Sequence, residues 1–170
     1  PYALLVGVTG LAMFLTHGAL YLSYKADGPV AERAGRWAPR LWIAWVVLWV
    51  VATAASVIVS PWLFEGALKN PLWWFLLVAT VAGLVAIPVA SRAGRTGFAF
   101  LAACGAVLGQ TGLAAVGLFP RLVPSSLDPA GATMTIYNAS SSQRPLATML
   151  VIALVGMPLV IAYTVFIYRV

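Results

Sequence analysis

One histidine occurs in the chain, His17, in the stretch FLTHGALYLSYKADG (Phe14 to Gly28), within a run of apolar residues that admits no charged group. An imidazole in such a place ligates haem iron, carries a proton or reads a ligand, so a histidine buried in hydrocarbon is a functional candidate by default. Its chemistry is bounded by what accompanies it. Met13 lies four residues away on the same face of a helix, so the two side chains cannot approach an iron from opposite sides, and a lone histidine rules out bis-histidine ligation. Five-coordinate ligation by His17 alone stays open. The serines of YNASSSQRPLATML form the other cluster of polar groups. A nucleophilic serine needs a base, and His17 stands thirteen residues into its run, about 20 Å from that run's start at 1.5 Å per residue. The serines stand at the opposite membrane face, so hydrolase chemistry is excluded. No carboxylate lies in any apolar run, so this chain by itself supplies no Asp or Glu proton relay. We therefore assign no catalytic, cofactor-binding or metal-ligating residue and expect His17 to be packed and hydrogen-bonded, with Tyr21 one turn on as a candidate partner, because an unpaired buried imidazole costs a few kcal/mol.

The elements that position these groups follow from composition. Hydrophobic residues make up 62% of the chain and charged residues 8%, with a mean hydropathy of +0.98, which is the signature of a membrane protein rather than a soluble domain. Five uncharged runs are long enough to cross about 30 Å of hydrocarbon as helices: Leu4 to Leu22, Leu41 to Val59, Leu72 to Val89, Phe98 to Phe119 and Leu146 to Ile167. They are continuously apolar, without the alternation of barrel strands. The expected fold is an all-α integral membrane protein, a single antiparallel bundle over residues 1 to 170 with one extra terminal helix.

All ten Lys and Arg lie in the connections or at the chain's end. Lys25, Arg33, Arg36, Arg40, Arg92, Arg95 and Arg169 fall on one side of the membrane, against Lys69, Arg121 and Arg144 on the other. That bias makes the first side cytoplasmic, with Pro1 outside and Val170 inside, and explains the net charge of +6 without nucleic acid. The first connection, YKADGPVAERAGRWAPR, reads as a basic loop with a short helical piece, closed by Pro39 before the second helix. The connection from Pro120 to Pro145, with Pro124, Pro129 and Gly131, is long for a bundle. Cys104 has no partner for a disulfide. The start at Pro1 and the stop just after a span lead us to expect the second half of a longer subunit.

Within the helices, Trp42, Trp45 and Trp49 share one face; Trp42 is expected to anchor at the membrane boundary, with packing further in, and Trp62, Trp73 and Trp74 mark the opposite boundary. Gly105 and Gly109 have the spacing that lets two backbones approach closely, serving either a partner subunit or this chain's own bundle. Gln110, the only amide in a span, needs a hydrogen bond across to a neighbouring helix. Pro158 is expected to kink the last helix. Ser141 or Ser142 is expected to cap its first turn, ahead of Pro145, and Asn138 to tie the preceding loop back to its own backbone.

THGALYLSYKADG with a basic ERAGR, then GLFPRLVPSS, YNASSSQRPLATML and GMPLVIAYTVFIYR, resemble in order and spacing the second half of subunit II of the cytochrome bd family of quinol oxidases. Arg144-Pro145 departs from the Thr-Leu type of helix start expected there. The resemblance implies a bacterial plasma-membrane oxidase that oxidises quinol, reduces dioxygen to water and contributes to the proton motive force. It further implies haem b and haem d in a partner, subunit I, with this subunit haem-free. Expected partners are subunit I, the subunit's own N-terminal half, small accessory membrane subunits, and lipid or quinone. The rivals are a segment of a permease or channel for a small solute, against which stands the lack of a polar cluster at mid-membrane, and a structural subunit of some other complex.

Overall fold

The computed structural model describes residues 1–123 and 133–169, the side chain of Tyr168 excepted. Pro124, Pro129 and Gly131 lie outside the described residues. The chain divides into two compact units, Pro1–Phe119 and Pro120–Val170, and five of its helices are long and apolar enough to cross a membrane. The all-α membrane fold expected from the sequence is the fold observed.

The first unit is built from α1 (Tyr2–Lys25), α2 (Gly28–Val59), the short α3 (Trp62–Glu65) and a 3₁₀ turn (Ala67–Lys69), α4 (Pro71–Arg92) and α5 (Thr96–Leu118). Cross-helix contacts fix the directions. Tyr2 meets Ser56 (2.8 Å between hydroxyls), Thr9 donates to the Leu48 carbonyl (3.4 Å), and Gly35 faces Ser23, so α1 and α2 run antiparallel. Gly83 faces Ala102 and Ala106 while Gly112 faces Leu76, so α4 and α5 do the same. The four long helices form an up-and-down bundle.

Its interior inverts the soluble pattern. Nine of the fourteen buried apolar residues described are alanine, and the buried polar ones are threonines, whereas Leu4, Phe14, Ile58, Phe75 and Leu108 are all more than half exposed. Lipid tails are as apolar as leucine, so large side chains gain nothing by turning inward, and association instead rewards small residues that bring backbones into van der Waals contact.

One local expectation is corrected. α2 does not begin at Leu41 after a loop; it begins at Gly28 and passes through Pro39. Asp27-Gly28-Pro29 makes the turn, Pro29 supplies a fixed φ for the first helical turn, and AERAGRW consists largely of good helix formers, so the helix starts before the apolar run does. Trp42 is half-buried and its indole N–H donates to the Leu84 carbonyl of α4 (3.0 Å). Rings gather where α3 leads into α4, with Trp73 edge-on to both Trp74 and Phe64, and Trp74 bonded to the Leu68 carbonyl. α4 starts cleanly, Asn70 accepting from Leu72 N–H ahead of Pro71.

The second unit holds a two-stranded antiparallel ladder, β1 (Arg121–Val123) with β2 (Met134–Thr135), and α6 (Gln143–Arg169).

Candidate functional site

His17 lies on the face of α1 that carries Tyr21 and Tyr24, at spacings of four and seven residues, and all three converge on one ring of α5. Phe100 lies 4.9 Å from the imidazole centroid at a tilt of 37°, 5.4 Å from Tyr21, and 6.3 Å from Tyr24 in a near-parallel stack. Among the described residues, His17 Nδ1 is the one buried side-chain nitrogen or oxygen without a hydrogen-bond partner. The bond expected at His17 is therefore not formed at this nitrogen; the aromatic cluster packs the ring instead. An imidazole whose Nδ1 is enclosed and whose neighbour is a phenyl ring does not fit a haem held by that nitrogen. Among the described residues there is also no group of three His, Cys, Asp or Glu to hold a metal ion.

Gln110 meets the second helix. Its Oε1 accepts from Trp45 Nε1–H at 3.0 Å, and Trp45 is fully buried, so this bond joins α2 to α5 inside the apolar core. Most serine and threonine hydroxyls of the helices bond within their own helix. Thr9, Thr16, Thr53, Ser56, Thr80, Thr111, Thr148 and Thr164 each donate to the carbonyl four residues earlier, the usual way a hydroxyl is satisfied in a membrane helix.

The structure separates the two glycines that the sequence pairs. A Cβ on Gly109 would collide with Thr80 and sit 3.1 Å from the Leu76 carbonyl of α4, whereas one on Gly105 would meet nothing within 4 Å. Gly109 belongs to the chain's own α4–α5 seam, together with Gly83, whose Cβ would lie 2.8 Å from the Ala102 carbonyl. Gly105 faces outward. Cys104, next to it, is half-buried.

In the second unit Asn138 closes its own loop: Oδ1 accepts from Thr135 N–H (2.6 Å) and Nδ2 donates to the Thr133 carbonyl (2.9 Å). Ser142 precedes α6 and its carbonyl accepts from Leu146 N–H (3.3 Å). Neither the Ser141 nor the Ser142 hydroxyl bonds to the first turn among the described residues, so the expected side-chain cap is absent. The SSSQRP stretch is exposed, and water reaches these N–H groups without a serine's help. Pro158 lies within one continuous helix.

Sequence reasoning missed the role of Phe100 and the Trp45–Gln110 pair. For the first, the spacing of His17, Tyr21 and Tyr24 was a usable signal, since three rings on one helical face call for an aromatic partner. For the second no signal named the partner.

Comparison with known proteins gives the frame for this arrangement. The chain is 31% identical to the probable cytochrome oxidase subunit 2 of Haemophilus influenzae, 28% to the cytochrome bd ubiquinol oxidase subunit 2 of Bacillus subtilis, and 26% to the cytochrome bd-I ubiquinol oxidase subunit 2 of Escherichia coli K12. Each match covers 99% of this chain and 51%, 49% and 51% of the relative, so the chain spans about half the length of the curated relatives it matches. A family model described as cytochrome bd terminal oxidase subunit II matches residues 1–170. The chain belongs to the cytochrome bd terminal oxidase subunit II family.

Proposed function

We propose that this chain is part of a membrane subunit of a bacterial quinol oxidase, in which quinol is oxidised and dioxygen reduced to water, and that its own part is that of a haem-free scaffold paired with a haem-bearing subunit I. The family match over the whole chain carries the proposal. The internal chemistry supports the scaffold role: no span contains a carboxylate, most serine and threonine hydroxyls of the helices bond within their own helix, and the His17 ring packs against Phe100. Haem b and haem d would then supply the redox chemistry from subunit I, while residues here hold helices in register.

The test uses the full-length subunit with its partner. Membranes lacking this subunit should lose the haem d absorbance and the quinol-driven oxygen uptake that depends on it, and both should return with the wild-type gene. Parental levels of both in its absence would overturn the reading.

We further propose that the connections bearing Lys25, Arg33, Arg36, Arg92 and Arg95 face the cytoplasm, from the excess of Lys and Arg there. Single cysteines at Arg36 and Ser140, in a Cys104→Ser background, are read with an impermeant thiol reagent on intact cells. Ser140→Cys should label and Arg36→Cys should not; the reverse pattern would contradict the orientation.

A further inference from the structure

Where α1 ends and α5 begins, the bundle has a cavity of about 620 Å³ lined by Tyr24, Arg95, Gly97, Phe98, Phe100 and Leu101 among others. Its shape follows from the turn between α4 and α5. Gly94 takes φ +71°, the left-handed conformation that ends a helix at glycine, and Arg95 N–H returns to the Ala90 carbonyl (2.9 Å) while the Arg95 carbonyl accepts from Ala99 N–H (3.0 Å). Arg95 is thus pinned between two helices at the rim of the cavity. Gly97 lets Tyr24 close one wall, since a Cβ there would stand 3.0 Å from the tyrosine ring. Lys25 lies over the same tyrosine, its ammonium 5.9 Å from the ring centroid. Among the described residues no carboxylate pairs with Lys25, Arg92 or Arg95, so the rim carries uncompensated positive charge above an apolar floor.

From the cavity an exposed stripe runs along α5: Leu101 (61% exposed), Gly105 and, one turn further, Leu108 (72%). Gly105, open on its outer side, leaves a dent between the two leucines.

We propose that this cavity and stripe bind one anionic phospholipid, the headgroup phosphate at Arg95 with Lys25 beside it, and an acyl chain lying along Leu101 and Leu108 over Gly105. Three observations agree on this occupant. The site stands at the ends of two membrane spans, where headgroups lie. Its charge is complementary to phosphate, and arginine suits phosphate by its planar fork of donors. Its polar rim continues into an apolar track, which a free phosphate ion would not use. The inference does not rest on the oxidase reading, and would hold for any role of the bundle.

The assembled complex, purified through a mild detergent, is examined by native mass spectrometry and then re-equilibrated with mixed phosphatidylglycerol and phosphatidylcholine. Wild type should retain one phosphatidylglycerol through delipidation, in preference to phosphatidylcholine. Arg95→Gln should lower its retention about fivefold, the contribution expected of one cation near an anionic headgroup. Gly105→Leu should also lower it, by filling the acyl track without touching the charge. Arg36→Gln, on the same side but away from the cavity, should retain lipid as wild type does, which also shows that a lost charge alone does not disturb the complex. Equal retention by Arg95→Gln and wild type, equal binding of phosphatidylcholine, displacement by excess inorganic phosphate, or a wild type that takes no lipid because a protein segment fills the cavity would each overturn the proposal.

Discussion

Helix α5 meets α4 and α1 by different means. Against α4 it presents Gly109 and Gly112, with Gly83 facing back, and a carbon added at Gly83 would come within 3.0 Å of the opposing backbone. Against α1 it presents Phe100, over which His17, Tyr21 and Tyr24 spread at 4.9 to 6.3 Å between ring centroids. The first seam is backbone against backbone and leaves no slack. The second is ring against ring, where tilted pairs keep their attraction over a range of separations. In hydrocarbon neither seam is driven by exclusion of water, so each must draw on contact quality alone. The tight seam sets the spacing of the bundle, and the looser one tolerates the enclosed imidazole nitrogen and the cavity beneath it.

The comparison breaks most readily at Gly83. Gly83→Val drives a side chain into the backbone of α5, and overpacking of this kind costs about 1–3 kcal/mol or more. A thermal melt of the purified complex should show a lowered Tm, whereas Gly105→Val, on the open side of α5, should melt within a degree or so of wild type. Equal losses from the two would mean that the α4–α5 seam is not the tight one. The looser seam should respond less. Phe100→Leu keeps an apolar side chain but removes the ring interactions, each worth about 0.5–1.5 kcal/mol, and because Phe100 is only half-buried the total should stay near the lower end. A loss as large as that of Gly83→Val would contradict the contrast.

These two seams also mark where sequence reasoning ran out. The five spans are legible because continuous apolar runs of membrane length have one physical outcome. The first thirteen residues of α2 are not legible in that way. AERAGRW is as charged as a loop, and its helix depends on Pro29 and on good helix formers rather than on hydropathy. The pairing of Gly105 with Gly109 shows a different limit: spacing says that small residues fall near one face, yet a turn of the helix separates contact from open space. Gln110 needed a donor or acceptor, and any of several polar groups would have served; that Trp45 answers it depends on where α2 lies. Phe100 carried no mark of its own, since an aromatic residue in an apolar run is equally at home facing lipid.

The central claim is that this chain scaffolds an oxidase without binding haem, and His17, its only histidine, is where that claim is most exposed. The measurement is haem content per complex, from the reduced absorbance spectrum of the purified assembly, for wild type and His17→Phe, with quinol-driven turnover per haem recorded on the same samples. The account predicts the same haem bands in the same ratio and unchanged turnover, with any loss confined to Tm, because the phenyl ring fills the place of the imidazole against Phe100. The disappearance of one haem per complex in His17→Phe would contradict it.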